Sequence, residues 1–243
     1  MTFRVSSLFI LATCLAITSP AVAREKNPTE VRAISQDYAD CVVRKKTELA
    51  REAILSNVNN EQIENQYRRL IIGDCLVRAN DGEGARMAFG GDLYRYALAG
   101  ALIRLDLQNH VPRSFEDVPA LTHLPAITPN PDLMNRTDRK GRKYQEAVAK
   151  LKTVRILSLY GECVVREDPQ NSYDLAMAEV GSTEEAQSFA KLQQAFGACL
   201  NNEGQIAFNK SILKGLVNVN YYRLAMAMQQ ENMTEATGLE VSN

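Results

Sequence analysis

Apolar residues recur along this chain at intervals of three and four, the spacing that lines one face of an α-helix. Ile34, Tyr38 and Cys41 follow it, and Ile63, Tyr67, Leu70, Ile71 and Cys75 repeat it on what the pattern predicts to be a later helix. Phe189, Leu192, Phe196 and Cys199 do the same further on. Ser182, with Glu185 three residues on, has the form of a capping box that starts this last helix. Asp168-Pro169 ends the helix before it, because a residue preceding proline is pushed out of the α region. Asn209 is an N-cap for the long run KSILKGLVNVNYYRLAMAMQ. Strict alternation of apolar and polar residues with β-branched enrichment, the strand signal, is nearly absent. The expected fold class is all-α.

The pattern is written twice. YADCVVR (Tyr38–Arg44) returns as YGECVVR (Tyr160–Arg166), 122 positions later. GDCL (Gly73–Leu76) returns as GACL (Gly197–Leu200), Ala88-Phe89 as Ala207-Phe208, and Arg104-Leu105 as Arg223-Leu224. The offset drifts from 122 to 124 to 119, as it does when loops differ in length between two copies of one unit. The expectation is two tandem disulfide-stapled helical repeats, at residues 29–107 and 141–230. Between them, residues 108–140 hold Pro112, Pro119, Pro125, Pro129 and Pro131 together with His110 and His123. Prolines remove backbone donors and disfavour helix, so this segment is expected to be an irregular strap across the repeats. Residues 231–243 are polar and expected to fray.

The first residues, MTFRVSSLFILATCLAITSPAVA, change the compartment. Arg4, a short apolar run and an A-x-A ending have the form of a secretory leader cleaved after Ala23. The run is well short of the ~20 residues that span a bilayer. LATC at Cys14 approximates a lipidation site and is the lesser alternative. Loss of the leader removes one (Arg4) of 28 Lys and Arg and none of 29 Asp and Glu, moving the net charge from −1 to −2. That near-neutral balance argues against nucleic acid as a partner, and no further stretch reads as membrane-spanning. Export places the mature chain in an oxidising, periplasmic or secreted setting.

Four cysteines then remain: Cys41, Cys75, Cys163 and Cys199. Four allow three connectivities. Locality favours Cys41–Cys75 and Cys163–Cys199, which close loops of 34 and 36 residues between different predicted helices. A redox pair would show C-x-x-C, and a zinc site would need histidines nearby; neither spacing occurs. No metal or cofactor is implied. A serine or cysteine nucleophile needs a base, and only His110 and His123 are available, with no G-x-S-x-G turn. NDGEGARMAFGG (Asn80–Gly91) is glycine-rich but lacks the G-K-[ST] ending of a phosphate loop. Acidic residues such as Asp40, Asp74, Glu61, Glu64 and Glu162 permit a carboxylate-dependent hydrolase as the alternative function.

The recurring polar positions are sharper. Asp40 and Glu162 are equivalent, as are Arg44 and Arg166, and Arg104 and Arg223. This recurrence predicts two intra-repeat ion pairs, Asp40 with Arg104 and Glu162 with Arg223. Tyr38 and Tyr160 recur on the cysteine face and are expected to pack in the core with their hydroxyls at its rim.

CVVR…P, F-x-x-L-x-x-x-F-G-A-C-L and F-N-K-S-I-L-K-G…Y-Y-R-L-A, over residues 156–225, resemble a repeat of exported, uncharacterised proteobacterial proteins. Residues 34–105 follow it less closely: no proline succeeds the first cysteine, and DLYRYALAGALIRL replaces the Lys/Arg-Gly step. The resemblance implies a periplasmic location and carries no activity or site residue with it. With no catalytic constellation in the sequence, the expected function is a non-enzymatic interaction or ligand-binding protein, its partner an unidentified protein or small molecule. It would act through the groove between the repeats or along the strap.

Overall fold

A computed structural model of the chain describes residues 27–80, 92–109, 114–200 and 208–240, and of Asn60 and residues 232–240 the backbone alone. Every regular element among these residues is helical, so the protein is all-α. The segment expected to be a leader, Cys14, His110 and most of the glycine-rich stretch lie outside the described residues.

Asn27 caps α1 (Pro28–Lys45) by accepting from Glu30 N, with Pro28 at the position where a missing N–H costs nothing. The chain continues through α2 (Thr47–Leu55), α3 (Asn60–Gln66), a 3₁₀ turn (Arg68–Leu70), α4 (Gly73–Ala79) and α5 (Leu93–Asp106). After the strap and a short α6 (Pro131–Met134) come α7 (Arg139–Glu167), α8 (Pro169–Met177), α9 (Thr183–Lys191), α10 (Gln193–Ala198) and α11 (Lys210–Glu240). Asp168 is both the stop of α7 and the cap of α8, and Pro169 occupies the first turn of α8. Asn209 Oδ1 accepts from Ile212 N at the start of α11.

Two stretches expected as single helices are broken. Ile63, Tyr67, Leu70 and Cys75 are all buried, but they reach the core from α3, the 3₁₀ turn and α4, and Ile71 faces solvent. The chain leaves helical geometry at Tyr67 and again at Ile71–Ile72. The second stretch is broken at Leu192, between α9 and α10. The residues after Glu231, expected to fray, instead continue α11 to Glu240.

The centre is the crossing of α5 and α11, which touch one another more than any other pair of elements. Tyr94–Tyr96 and Leu98–Ile103 are buried on every side of α5, as are Leu216–Ala225 on α11, the mark of helices surrounded by others. Their backbones approach closely because a glycine lies at each contact. A Cβ at Gly215 would overlap the Tyr96 ring, and one at Gly100 would meet the Asn218 amide at 2.5 Å. The flanks are arranged in parallel: α1 packs on α5 and α4, while α7 packs on α11 and α10. Across the middle, α8 reaches α5 and α2 reaches α11, so one core serves both halves.

Disulfides tie the short outer helices to the long ones. Cys41 on α1 joins Cys75 on α4, and Cys163 on α7 joins Cys199 at the end of α10, with Cα–Cα separations of 5.6 and 5.8 Å. The recurring tyrosines brace the same joints. Tyr38 Oη accepts from Ile72 N and Tyr160 Oη donates to Phe196 O, both at 3.2 Å.

Candidate functional site

Where α1 and α5 meet α11, the halves leave a cleft of about 120 Å³. Its walls are apolar: Val31 from α1, Leu93, Tyr96 and Ala97 from α5, and Val180 from the α8–α9 turn. Three cations reach it, Arg32 from α1, Arg104 from α5 and Lys214 from α11.

Each cation is braced from behind by one carboxylate. Glu185 Oε1 accepts from Arg32 Nη2 at 2.5 Å and from Lys214 Nζ at 3.0 Å, while its Oε2 takes Gly181 N at 3.0 Å. Ser182 caps α9 as expected, but Glu185 does not close the capping box; it is drawn inward to the two cations. Lys214 also donates to Ala178 O at 2.6 Å. Burial pushes the Lys214 ammonium down to about 8, against the pull of Glu185 and with help from the neighbouring Arg104 and Arg32 charges. Arg104 donates through Nη2 to Asp40 at 2.6 Å and through Nη1 to Ala176 O of the other half at 3.3 Å. Asp40 and Arg104 are thus brought together, as the recurrence predicts.

Gln36 and Asn218, two residues of the cleft, have buried amide oxygens without a partner among the described residues. Asn218 is 5% exposed, and its Nδ2 donates to Tyr96 O at 3.3 Å. A buried acceptor without a donor costs about 1–3 kcal/mol.

The second expected pair does not form. Arg223 donates to Thr122 O at 2.8 Å, and Glu162 is occupied by other groups. It accepts from Leu121 N at 3.1 Å and from Arg166 Nε at 2.8 Å, and it bonds the His123 ring through Nε2. The cause is the strap, which lays His123 and the Thr122 carbonyl between the two helices where only α1 and α5 face each other in the N-terminal half. Arg166 stands one turn beyond Glu162 on the same face of α7 and also holds the Phe115, Val118 and Pro119 carbonyls. Arg44, expected from the sequence to match Arg166, is exposed.

His123 Nδ1 lies 2.7 Å from Ser158 Oγ, so serine, histidine and glutamate stand in a row. Their composition is that of a nucleophilic triad, but the setting is not. Ser158 sits inside α7, where the backbone N–H groups are committed to the helix and cannot converge on an oxyanion. The row joins strap to helix. Its only signal in the sequence is the polar stripe Ser158, Glu162, Arg166 at four-residue spacing, since His123 is 39 residues from Glu162. Lys214 and Glu185 were equally hidden, apart from a lysine set in the apolar run SILKGLV.

Burial works against the charge of Glu162, but the His123 ring, the Leu121 N–H and Arg166 outweigh it and hold the carboxyl at about 2, from an ordinary 4.5. A carboxyl depressed by folding stabilises the fold above its unfolded pKa, and that contribution is lost as pH falls toward the folded value. Unfolding free energy is therefore expected to drop between about pH 4.5 and 2, by about 3 kcal/mol at most from this group. Glu162→Gln should flatten the acid limb of a urea-unfolding series across that range. An unchanged slope in the variant would assign the acid sensitivity elsewhere.

No group of three or more His, Cys, Asp or Glu side chains among the described residues is arranged to hold a metal ion. Among these residues no helix is long and apolar enough to cross a membrane. Neither a protein-family model, a curated protein nor a solved structure matches this chain.

Proposed function

We propose that the protein is an exported, periplasmic, non-enzymatic binding protein, built from two duplicated helical repeats, that takes a small molecule in the cleft between α1, α5 and α11. The observation that carries this reading is the cleft itself, where apolar walls of Val31, Leu93, Ala97 and Val180 meet the cations Arg32, Arg104 and Lys214 at the junction of the halves. Ligand sites have this character, apolar walls with a few placed polar groups at an interface between structural units. The leader, the two disulfides and the repeated packing of α1 and α7 support export and duplication.

Carboxylate-dependent hydrolysis, the other reading of the sequence, needs one neutral acid facing one ionised acid. Glu162 and Glu185 each carry cationic partners that favour the ionised form, and Asp37, pushed up by burial and by Asp40 and Glu179, is exposed rather than set in a deep cleft, which is the reason for preferring binding over turnover.

The cleft is tested with cyclopentane, an apolar probe suited to its size. Titration should shift the methyl NMR signals of Val31, Leu93 and Val180, which line the space. Ala97→Phe, which fills it, should weaken that response at least tenfold while the melting temperature and circular dichroism stay near wild type. Ala97→Val, a smaller step, should weaken it less. Unmoved signals in the wild-type protein, or equal binding by the phenylalanine variant, would remove this reading.

A further inference from the structure

The near-neutral total conceals a segregation of charge. Residues 131–152, which hold α6 and the first half of α7, carry seven Lys and Arg against three Asp and Glu. That is a net +4 on a chain whose total is −1, so all other residues together carry −5. Six of these cations lie on α7 itself, Arg139, Lys140, Arg142, Lys143, Lys150 and Lys152, and all six are exposed. Of the acids, Asp138 caps α7 and is held by Arg136, and Asp132 sits in the first turn of α6. Glu146 alone stands among the six. Arg136–Asp138 is the one ion pair of this stretch among the described residues.

Packing behind the helix decides which way these charges point. Gly141 and Val148 are the only buried residues of α7 before Tyr160. The α6 segment covers that face: Asn130 N donates to Tyr144 Oη at 2.8 Å, and Gln145 Nε2 to Met134 O at 2.7 Å. A Cβ at Gly141 would overlap the Arg136 backbone. Arg139, Lys143 and Lys150, at spacings of four and seven, therefore stand on the opposite side and face away from the fold. Beside them Ala147 and Leu151, both exposed, and the half-buried Val154 follow one another at four and three. Cations flanking an exposed apolar strip are the composition of a helix that lies in a lipid headgroup layer. A hydrophilic polyanion would match the charge but leave the apolar strip in water.

We propose that the N-terminal half of α7 docks the protein on an anionic phospholipid surface. The helix lies along the surface, with Arg139, Lys143 and Lys150 against the phosphates and Leu151 at the acyl boundary. No segment crosses the bilayer. None of the residues lining the cleft lies on α7, so this face is separate from the binding site proposed above. The attraction is mainly electrostatic and is screened as salt rises. Each basic residue near such a surface raises partitioning roughly fivefold.

The test is co-sedimentation of the full mature protein, disulfides intact, with phosphatidylglycerol vesicles and with phosphatidylcholine vesicles. The anionic vesicles are expected to bind it about tenfold more tightly or better, and added salt to release it. Arg139→Gln, Lys143→Gln and Lys150→Gln together should lower the affinity about 100-fold. Circular dichroism and melting temperature should stay near wild type, because the three side chains are exposed and unpaired. Arg44→Gln, Arg68→Gln and Arg69→Gln, at exposed cations of α1 and the 3₁₀ turn, remove the same charge and should change binding little. Leu151→Ser should weaken binding less than the α7 triple variant and leave its salt dependence intact. Equal losses in the two triple variants would show that overall charge, not this face, is read, and would overturn the proposal. Equal binding to the two kinds of vesicle, or binding to neither, would overturn it as well. Soluble polyglutamate bound as tightly as phosphatidylglycerol, with Leu151→Ser unaffected, would make this a face for acidic proteins and overturn the lipid assignment.

Discussion

Replacing Cys163 and Cys199 by alanine is expected to lower the unfolding free energy by about 3–4 kcal/mol, and removing Cys41 and Cys75 as well should double the loss. The loops closed are 34 and 36 residues long, so the chain-entropy contributions are nearly equal. The helices they secure differ from the rest of the fold. With seven and six residues, α4 and α10 are too short to be stable alone, as isolated helices below about 12 residues are marginal in water. Domains have only about 5–15 kcal/mol of stability in total, so loss of both bridges should leave the protein largely unfolded at 37 °C. Cys41, Cys75 and Cys199 are buried, whereas Cys163 is exposed. Reductant should therefore open the Cys163–Cys199 bridge of the folded protein before the Cys41–Cys75 bridge, whose cysteines are both buried, and urea should remove the difference. Urea unfolding followed by circular dichroism, with and without reductant, measures the effect. A shift below 1 kcal/mol per bridge would mean that packing, not the bridges, retains α4 and α10.

Glu185→Gln is expected to cost about 3–5 kcal/mol, the range for removing one member of a buried ionic cluster. Glu185 is 2% exposed and is the common acceptor of Arg32, Lys214 and the Gly181 N–H, so it joins α1, α9 and α11. Without its charge, Lys214 would keep only the Ala178 carbonyl and would have to bury an uncompensated ammonium. The sign with pH follows. Lys214 already titrates near 8, below its ordinary 10.5, and loss of Glu185 should lower it further. Above that range the side chain is neutral and the penalty fades, so the destabilisation should be larger at pH 6.5 than at pH 9. Glu185→Leu combined with Lys214→Met should recover part of the loss, because it removes the two most deeply buried charges and leaves only the more exposed Arg32 without its partner. Thermal melts of the three proteins at the two pH values decide it. A double variant as unstable as the glutamine single variant would locate the loss in packing instead.

The two ion pairs expected from the repeat show how far sequence alone reaches. Asp40 and Arg104 meet across α1 and α5, two helices of one half that nothing separates. Glu162 and Arg223 occupy the places that the sequence match sets against them, yet the strap comes between them and gives each a different partner. Recurrence in sequence records equivalence within each half. It carries no record of a segment, present once, that lies against only one of them. The broken helices have a related cause. Periodicity marked Ile63, Tyr67, Leu70 and Cys75 as one buried face, and they are buried, but three short pieces bring them there. A hydrophobic period reports which side chains face the core. It is insensitive to a backbone that turns between them.

What the sequence determined by itself is local or nearly so: the helical class, the stop at Asp168-Pro169, the caps at Ser182 and Asn209, and cysteine partners within 36 residues of one another. Each rests on the geometry of a few neighbouring residues or on the short reach of one loop. The tertiary structure decided the rest. Arg32, Arg104, Glu185 and Lys214 are scattered over the chain and meet only because α5 and α11 cross where glycines let their backbones approach. The cleft beside that crossing is space left over when several helices pack. No single helix encodes it, because a cavity belongs to the arrangement of its walls and not to any one of them.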